Sequence, residues 1–242
     1  MALYREQGIV LRTYKLGETD RIVHLLTPGR GKVRAVAKGV RRPGSRFGGR
    51  LEPFSHVDLQ LYEGRNLDIV SSADLITPFA AVRGDFALSA CGSAMVEAID
   101  RVAQEDERAV ALVLLLLDGL HTLSTAPPRP SLVLDAVLLR LADAAGYSPE
   151  LDGCTSCARP GRHGVFSAAA GGVVCPACAP AGATPLRPGS LALLHRLASA
   201  GWDDLDDPAG EDRDRRAIGA LVNSYLTYHL GRPLKAWDLV PR

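Results

Sequence analysis

Gly31-Lys32-Val33-Arg34-Ala35-Val36-Ala37-Lys38 runs directly into Gly39-Val40-Arg41-Arg42-Pro43-Gly44-Ser45-Arg46-Phe47-Gly48-Gly49-Arg50. Successive side chains of a strand point to opposite faces, so a strand over the first part buries Val33, Ala35 and Ala37 and turns Lys32, Arg34 and Lys38 outward together. The second part, with Gly39, Gly44, Gly48, Gly49 and Pro43, reads as an irregular, flexible loop able to lay Arg41, Arg42 and Arg46 along a polyanion. From Arg30 to Arg50 there are eight basic residues and no acid. A solvated strand face is the plain alternative, but such faces usually mix signs. Nucleic-acid backbone is the natural counterpart of this field.

Working outward, the segments on either side are short and rich in β-formers. Gly8–Lys15, Arg21–Thr27, Ser55–Tyr62 and Leu67–Ser71 join Lys32–Lys38 to make five strands in about seventy residues, with Pro28-Gly29-Arg30-Gly31 as a hairpin turn. A small closed barrel buries such strands without exposed edges. The five-stranded OB barrel fits the length and an SH3-like barrel fits nearly as well; the basic strand and loop favour the OB type.

Beyond about Phe79 the pattern becomes helical: Phe86–Val102, Arg108–Thr122, Leu132–Ala145, Ser190–Ser199 and Glu211–Leu230. The proline-rich connector Thr125–Pro130 separates the second and third helices. The chain is thus expected to be α+β and multidomain. An OB-type barrel over residues 1–80 is followed by a helical domain in two parts, 81–149 and 183–242, with a zinc-binding insertion at 150–182 between them.

That insertion holds Cys154, Cys157, Cys175 and Cys178, two C-x2-C pairs separated by seventeen residues. The spacing is that of a tetrahedral zinc site made of two knuckles, and four thiolates leave no open position for water, so one structural zinc ion is expected. Cys91, in a helix beside Ala90 and Gly92, reads as a small core residue. Arg159, Arg162 and His163 lie in the knuckle loop, which either touches nucleic acid or only staples the loop to the bundle; the scarcity of cations favours the staple.

Composition bounds the remaining possibilities. Of the 242 residues 47% are apolar and the formal net charge is only +1, but residues 1–81 carry 13 Lys and Arg against 8 Asp and Glu, or +5, which leaves the rest at −4. No apolar stretch reaches the ~18–20 residues of a membrane span, and Met1–Glu6 lacks the layout of a secretion signal. A cytoplasmic location follows, in which cysteines serve as thiols or metal ligands. Phosphate-binding glycine loops, G-x-S-x-G and H-E-x-x-H are missing from the sequence, so no catalytic residue is assigned. The acids Asp203, Asp204, Asp206, Asp207, Glu211, Asp212 and Asp214 read as solvated loops and caps.

Gly17-Glu18-Thr19-Asp20-Arg21-Ile22-Val23, then Leu26-Thr27-Pro28 and Gly31-Lys32, then Lys38–Phe47 and Leu51-Glu52-Pro53-Phe54 resemble the RecO family of recombination mediators. The closing segment Tyr225–Lys235 is similar to that family's last helix. The resemblance implies an N-terminal OB barrel, a helical domain with a zinc knuckle, and a role in bacterial DNA repair at the nucleoid. It further implies binding of single- and double-stranded DNA, strand annealing, and work with RecR to help RecA displace the single-strand binding protein SSB. The expected DNA contacts are Lys32, Arg34, Lys38, Arg41, Arg42, Arg46 and Arg50, with Tyr14, Phe47 and Tyr62 as candidate stacking rings, of which the last two fit a core place equally well. A zinc-stabilised scaffold or RNA-binding module without annealing activity is the competing expectation.

Overall fold

The computed structural model describes residues 2–206 and 210–242; Met1 and Asp207, named above, lie outside them. Five strands, β1 (Leu3–Leu16), β2 (Asp20–Thr27), β3 (Gly31–Ala37), β4 (His56–Tyr62) and β5 (Asp68–Thr77), close into a barrel in the order β1-β2-β3-β5-β4. All neighbours are antiparallel except β3 and β5. That closed five-stranded arrangement is the OB type.

Alternation places Val33, Ala35 and Ala37 of β3 and Val57, Leu59 and Leu61 of β4 inside the barrel. In β1 the register shifts between Val10 and Arg12. Val10 packs into the barrel, while Ile9 and Leu11 face the helices together with Leu26 and Phe54. Because both faces of this strand are covered, Ile9-Val10-Leu11 reads as an unbroken apolar run.

The helices α1 (Ala80–Gly84), α2 (Phe86–Val102), α3 (Val110–Ser124) and α4 (Pro130–Ala144) precede the cysteine segment, and α5 (Pro188–Ser199) and α6 (Asp212–Leu230) follow it. Pro130 occupies the first turn of α4, where its missing N–H leaves no helical hydrogen bond unmade. α4 is buried along most of its length and packs on α2, α3, α5 and α6, so one core joins the helices on both sides of the insertion. Within that core Asp135 is fully enclosed and takes two hydrogen bonds, of 2.8 and 2.9 Å, from Arg242. The insertion itself carries β6 (Val165–Ser167), β7 (Gly172–Val173) and β8 (Thr184–Pro185) in a small sheet ordered β7-β6-β8.

The β2–β3 hairpin is bolted to the α2–α3 connection. The amide of Lys32 donates to the carbonyl of Gln104 at 2.8 Å, Asp106 to Arg30 at 3.0 Å, and Ala109 to Pro28 at 3.1 Å. Gly31 sits there at φ +62°, and a Cβ would come within 2.3 Å of the Gln104 carbonyl oxygen. Only glycine meets both demands.

Candidate nucleic-acid interface and metal centre

The segment after β3 departs from the expectation of a flexible loop. It is a succession of turns, in which the amides of Arg42, Ser45, Gly48, Arg50 and Glu52 donate to carbonyls three residues back. Phe47, 1% exposed, and Leu51 plug the barrel from this side. The cost of an unfilled barrel mouth explains the order, and it removes Phe47 from the candidate stacking rings. Tyr14 and Tyr62 remain exposed.

The seven expected DNA contacts fall into three groups. Lys32 and Arg34, on the outer face of β3, are engaged by acids of the α2–α3 region. Lys32 Nζ donates to the Asp100 carbonyl at 2.9 Å and lies 3.7 Å from its carboxylate; the Arg34 guanidinium meets Glu105 at 2.8 and 3.3 Å. Half-buried His24, between them on β2, has its pKa lowered by burial, opposed by Asp100 and reinforced by Arg34, Lys32 and Arg12.

Lys38, Arg41 and Arg42 form the second group, beside the β1–β2 turn. Arg41 donates to the carbonyls of Glu18 and Gly17 at 2.9 and 3.4 Å. Lys38 and Arg42 are exposed, and their side chains make no hydrogen bond or ion pair among the described residues. Asp20 is held below the usual carboxylate range, first by the Gly39 amide, then by Thr19, with Arg42 and Lys38 adding charge. Its carboxylate therefore stays ionised beneath them.

Arg46 and Arg50 sit across the barrel mouth. Arg46 lies over the Phe47 ring at 4.9 Å, and Arg50 donates to the Ala73 carbonyl at 3.1 Å with Asp74 at 3.9 Å. Arg30 is likewise paired, with Glu63 at 3.4 Å. Of the eight cations from Arg30 to Arg50, those with no carboxylate in ion-pair contact among the described residues are Lys38, Arg41, Arg42 and Arg46, all from the turn-rich segment and all exposed. The acids that neutralise β3 come from 68 and 71 residues away, beyond any local count of charge.

The cysteines do converge. The Sγ atoms of Cys154, Cys157, Cys175 and Cys178 all lie within 4.8 Å of one another, with Cys157 and Cys175 at 3.9 Å. A tetrahedron with bonds of about 2.3 Å has edges of about 3.8 Å, so the donor set fits one thiolate-bound cation. The Cys175 amide donates to Cys154 Sγ at 3.3 Å, and this bond, with those from the Cys157 and Ser156 amides, pulls the Cys154 thiol down to about 6. Cys178 moves the other way, to about 12, because the sulfurs of Cys175, Cys157 and Cys154 surround it. Four adjacent sulfurs cannot all ionise unaided; a divalent cation lifts that restriction. Cys91 lies apart, buried, its thiol raised to about 12 by burial.

Residues 1–79 match the family model described as Recombination protein O N terminal, and residues 83–238 match Recombination protein O C terminal. The chain belongs to the RecO family. Among curated RecO relatives, each named DNA repair protein RecO, that of Thermobifida fusca is 46% identical over 244 residues, covering 100% of both chains. That of Nocardioides sp. is 46% identical over 245 residues, spanning 99% of this chain and 100% of the relative. The Frankia casuarinae RecO is 44% identical over 244 residues, again covering both chains in full. No helix among the described residues is long and apolar enough to cross a membrane.

Proposed function

We propose that this RecO-family protein is a DNA-repair mediator that binds single- and double-stranded DNA without sequence preference and anneals complementary strands. With RecR it helps RecA load on SSB-coated DNA. The observation that carries the reading is the separation of the cations. Those of β3 are neutralised within the molecule, whereas Lys38, Arg41, Arg42 and Arg46 stand on an ordered platform with no carboxylate in ion-pair contact among the described residues, Asp20 acting on Lys38 and Arg42 only at longer range. Point charges on a turn-rich surface contact phosphates and read no base edges, which suits an activity that must accept any sequence. Holding two strands against one cationic platform screens their mutual repulsion, and pairing proceeds without a nucleotide or a catalytic residue.

Zinc is the cation we assign to Cys154, Cys157, Cys175 and Cys178, and its role is structural, because four sulfurs complete its coordination. The acidic helical body, net −4 outside residues 1–81, is repelled by DNA and is the surface for protein partners. Fluorescence-quenching annealing of complementary strands, bare and SSB-coated, tests the reading with and without ATP. Accelerated pairing independent of ATP is expected. Pairing no faster than the spontaneous reaction at low salt refutes it, and a stable preference for one folded RNA transfers the assignment to the scaffold reading.

A further inference from the structure

A cleft of about 490 Å³ lies where β1 passes the helical body. Phe54 and Val96, both buried, line its floor; Arg12, Tyr14, Lys235 and Leu239 line it toward solvent. The C-terminal side of this cleft is built, not loose. Buried Glu97 accepts from the amides of Lys235 and Ala236 at 3.0 and 2.9 Å and pairs with Arg101. Arg101 in turn donates to the carbonyls of Arg232 and Pro233 at 2.6 and 2.7 Å.

These bonds consume the Glu97 carboxylate and fix the backbone at Lys235, whose exposed side chain has no hydrogen bond or ion pair among the described residues. Across the cleft Arg12 has only a loose partner, Asp100 at 3.9 Å, which also serves Lys32. The Tyr14 ring leans on His24 with 5.0 Å between centroids, yet 47% of the residue remains exposed. An accessible aromatic ring flanked by cations is the chemistry that binds single-stranded nucleic acid, because every base has a face to stack and every linkage a charge.

Strand β1 also links the cleft to the basic segment. Lys15 follows Tyr14 on β1, and the carbonyls of Gly17 and Glu18, just past the strand, hold Arg41. From Arg12 to Leu16 the strand covers about 13 Å. A strand leaving Arg41 and Arg42 along β1 therefore reaches the cleft within a few nucleotides.

We propose that this cleft is a single-strand subsite, in which a base of the DNA held by the basic segment stacks on Tyr14 while Arg12 and Lys235 take the adjoining phosphates. It rests on the DNA-binding role assigned above to that segment. A duplex cannot use it fully, since its bases already stack on one another. The subsite thus favours single strands over duplex.

Fluorescence anisotropy with labelled dT20 and with a mixed-sequence 20-base-pair duplex tests this on full-length Tyr14→Ala, Tyr14→Phe, Lys235→Ala and Arg42→Ala proteins. Tyr14→Ala should weaken dT20 binding about tenfold, leave the duplex within about twofold, and be rescued by Tyr14→Phe. Lys235→Ala should flatten the dT20 salt dependence by about 0.7 in log–log slope. Arg42→Ala should weaken both ligands. Wild-type dT20 affinity in Tyr14→Ala and Lys235→Ala, beside a loss in Arg42→Ala, overturns the cleft and leaves the basic segment standing. Equal losses for dT20 and duplex in Tyr14→Ala also overturn it, because stacking is then not the cause. Wild-type affinity in all four overturns the cleft and, with it, the assignment of DNA to the basic segment.

Discussion

Raising salt from 50 to 200 mM on the duplex complex separates the cations that touch DNA from those spent inside the protein. Each phosphate neutralised contributes about −0.9 to the slope of log affinity against log salt for B-form DNA. If Lys38, Arg41, Arg42 and Arg46 make the contacts, the slope is about −3.6 and the fourfold rise in salt weakens binding about 150-fold. If all seven expected cations touched DNA, the slope would be about −6.3 and the loss about 6,000-fold. The smaller figure is the expected one, because Lys32 and Arg34 face Asp100 and Glu105 and Arg50 has Asp74 at 3.9 Å besides the Ala73 carbonyl. Anisotropy titration at five salt concentrations reads the slope. Arg42→Ala should reduce it to about −2.7, while Arg34→Ala should leave it at the wild-type value. Glu105→Gln, which removes a half-exposed partner at little cost in stability, should steepen it by about 0.9 as Arg34 becomes available. A wild-type slope near −6, or an Arg34→Ala slope as shallow as that of Arg42→Ala, refutes the partition.

Three other outcomes are expected. Purified protein should hold one zinc per chain by elemental analysis, and Cys154→Ser should lose it and open the knuckle to protease while keeping duplex affinity, since the barrel core is separate from that of the cage. Phe47→Ala should lower stability by about 3–5 kcal/mol in urea titration, as expected for deleting a fully enclosed ring. Burial opposes ionisation of Glu97, but the amides of Lys235 and Ala236 and the Arg101 guanidinium outweigh it and hold the carboxyl below its ordinary value. Its contribution is therefore complete above the ordinary glutamate range and lost as pH falls through the lower folded value, and Glu97→Gln should flatten the acid limb of a stability–pH profile.

The strands, the helices and the cysteine cage were legible because each is a local signal. Alternation places Val57, Leu59 and Leu61 inside the barrel, and C-x2-C spacing brings two sulfurs to one side. Most strand boundaries moved by a residue or two, but β1 gained Leu3–Gln7 and β5 ran on past Ser71 to Thr77, both by pairing with β4. What local reading missed was the fate of the charges. Asp100 and Glu105 look like ordinary solvated acids in sequence, and only the chain's return past β3 sets them against Lys32 and Arg34. Phe47 stays open between stacking ring and core in the sequence for the same reason: only the barrel beneath it, which needs a stopper, decides for the core. Arg12 and Lys235, more than two hundred residues apart, carry no shared pattern that would have joined them.

The bolted hairpin makes the junction between barrel and helices a weld instead of a hinge. Ile9, Leu11, Leu26 and Phe54 are apolar contacts to the helices, and the Lys32, Asp106 and Ala109 amides close the seam with hydrogen bonds. A fragment cut near residue 80 would strip that apolar face bare and orphan the seam's polar groups. The barrel and the bundle are therefore one mechanical unit: a DNA strand on the barrel, as proposed above, would take a fixed bearing relative to any partner on the helices, and orientation would pass from one to the other without any part having to swing.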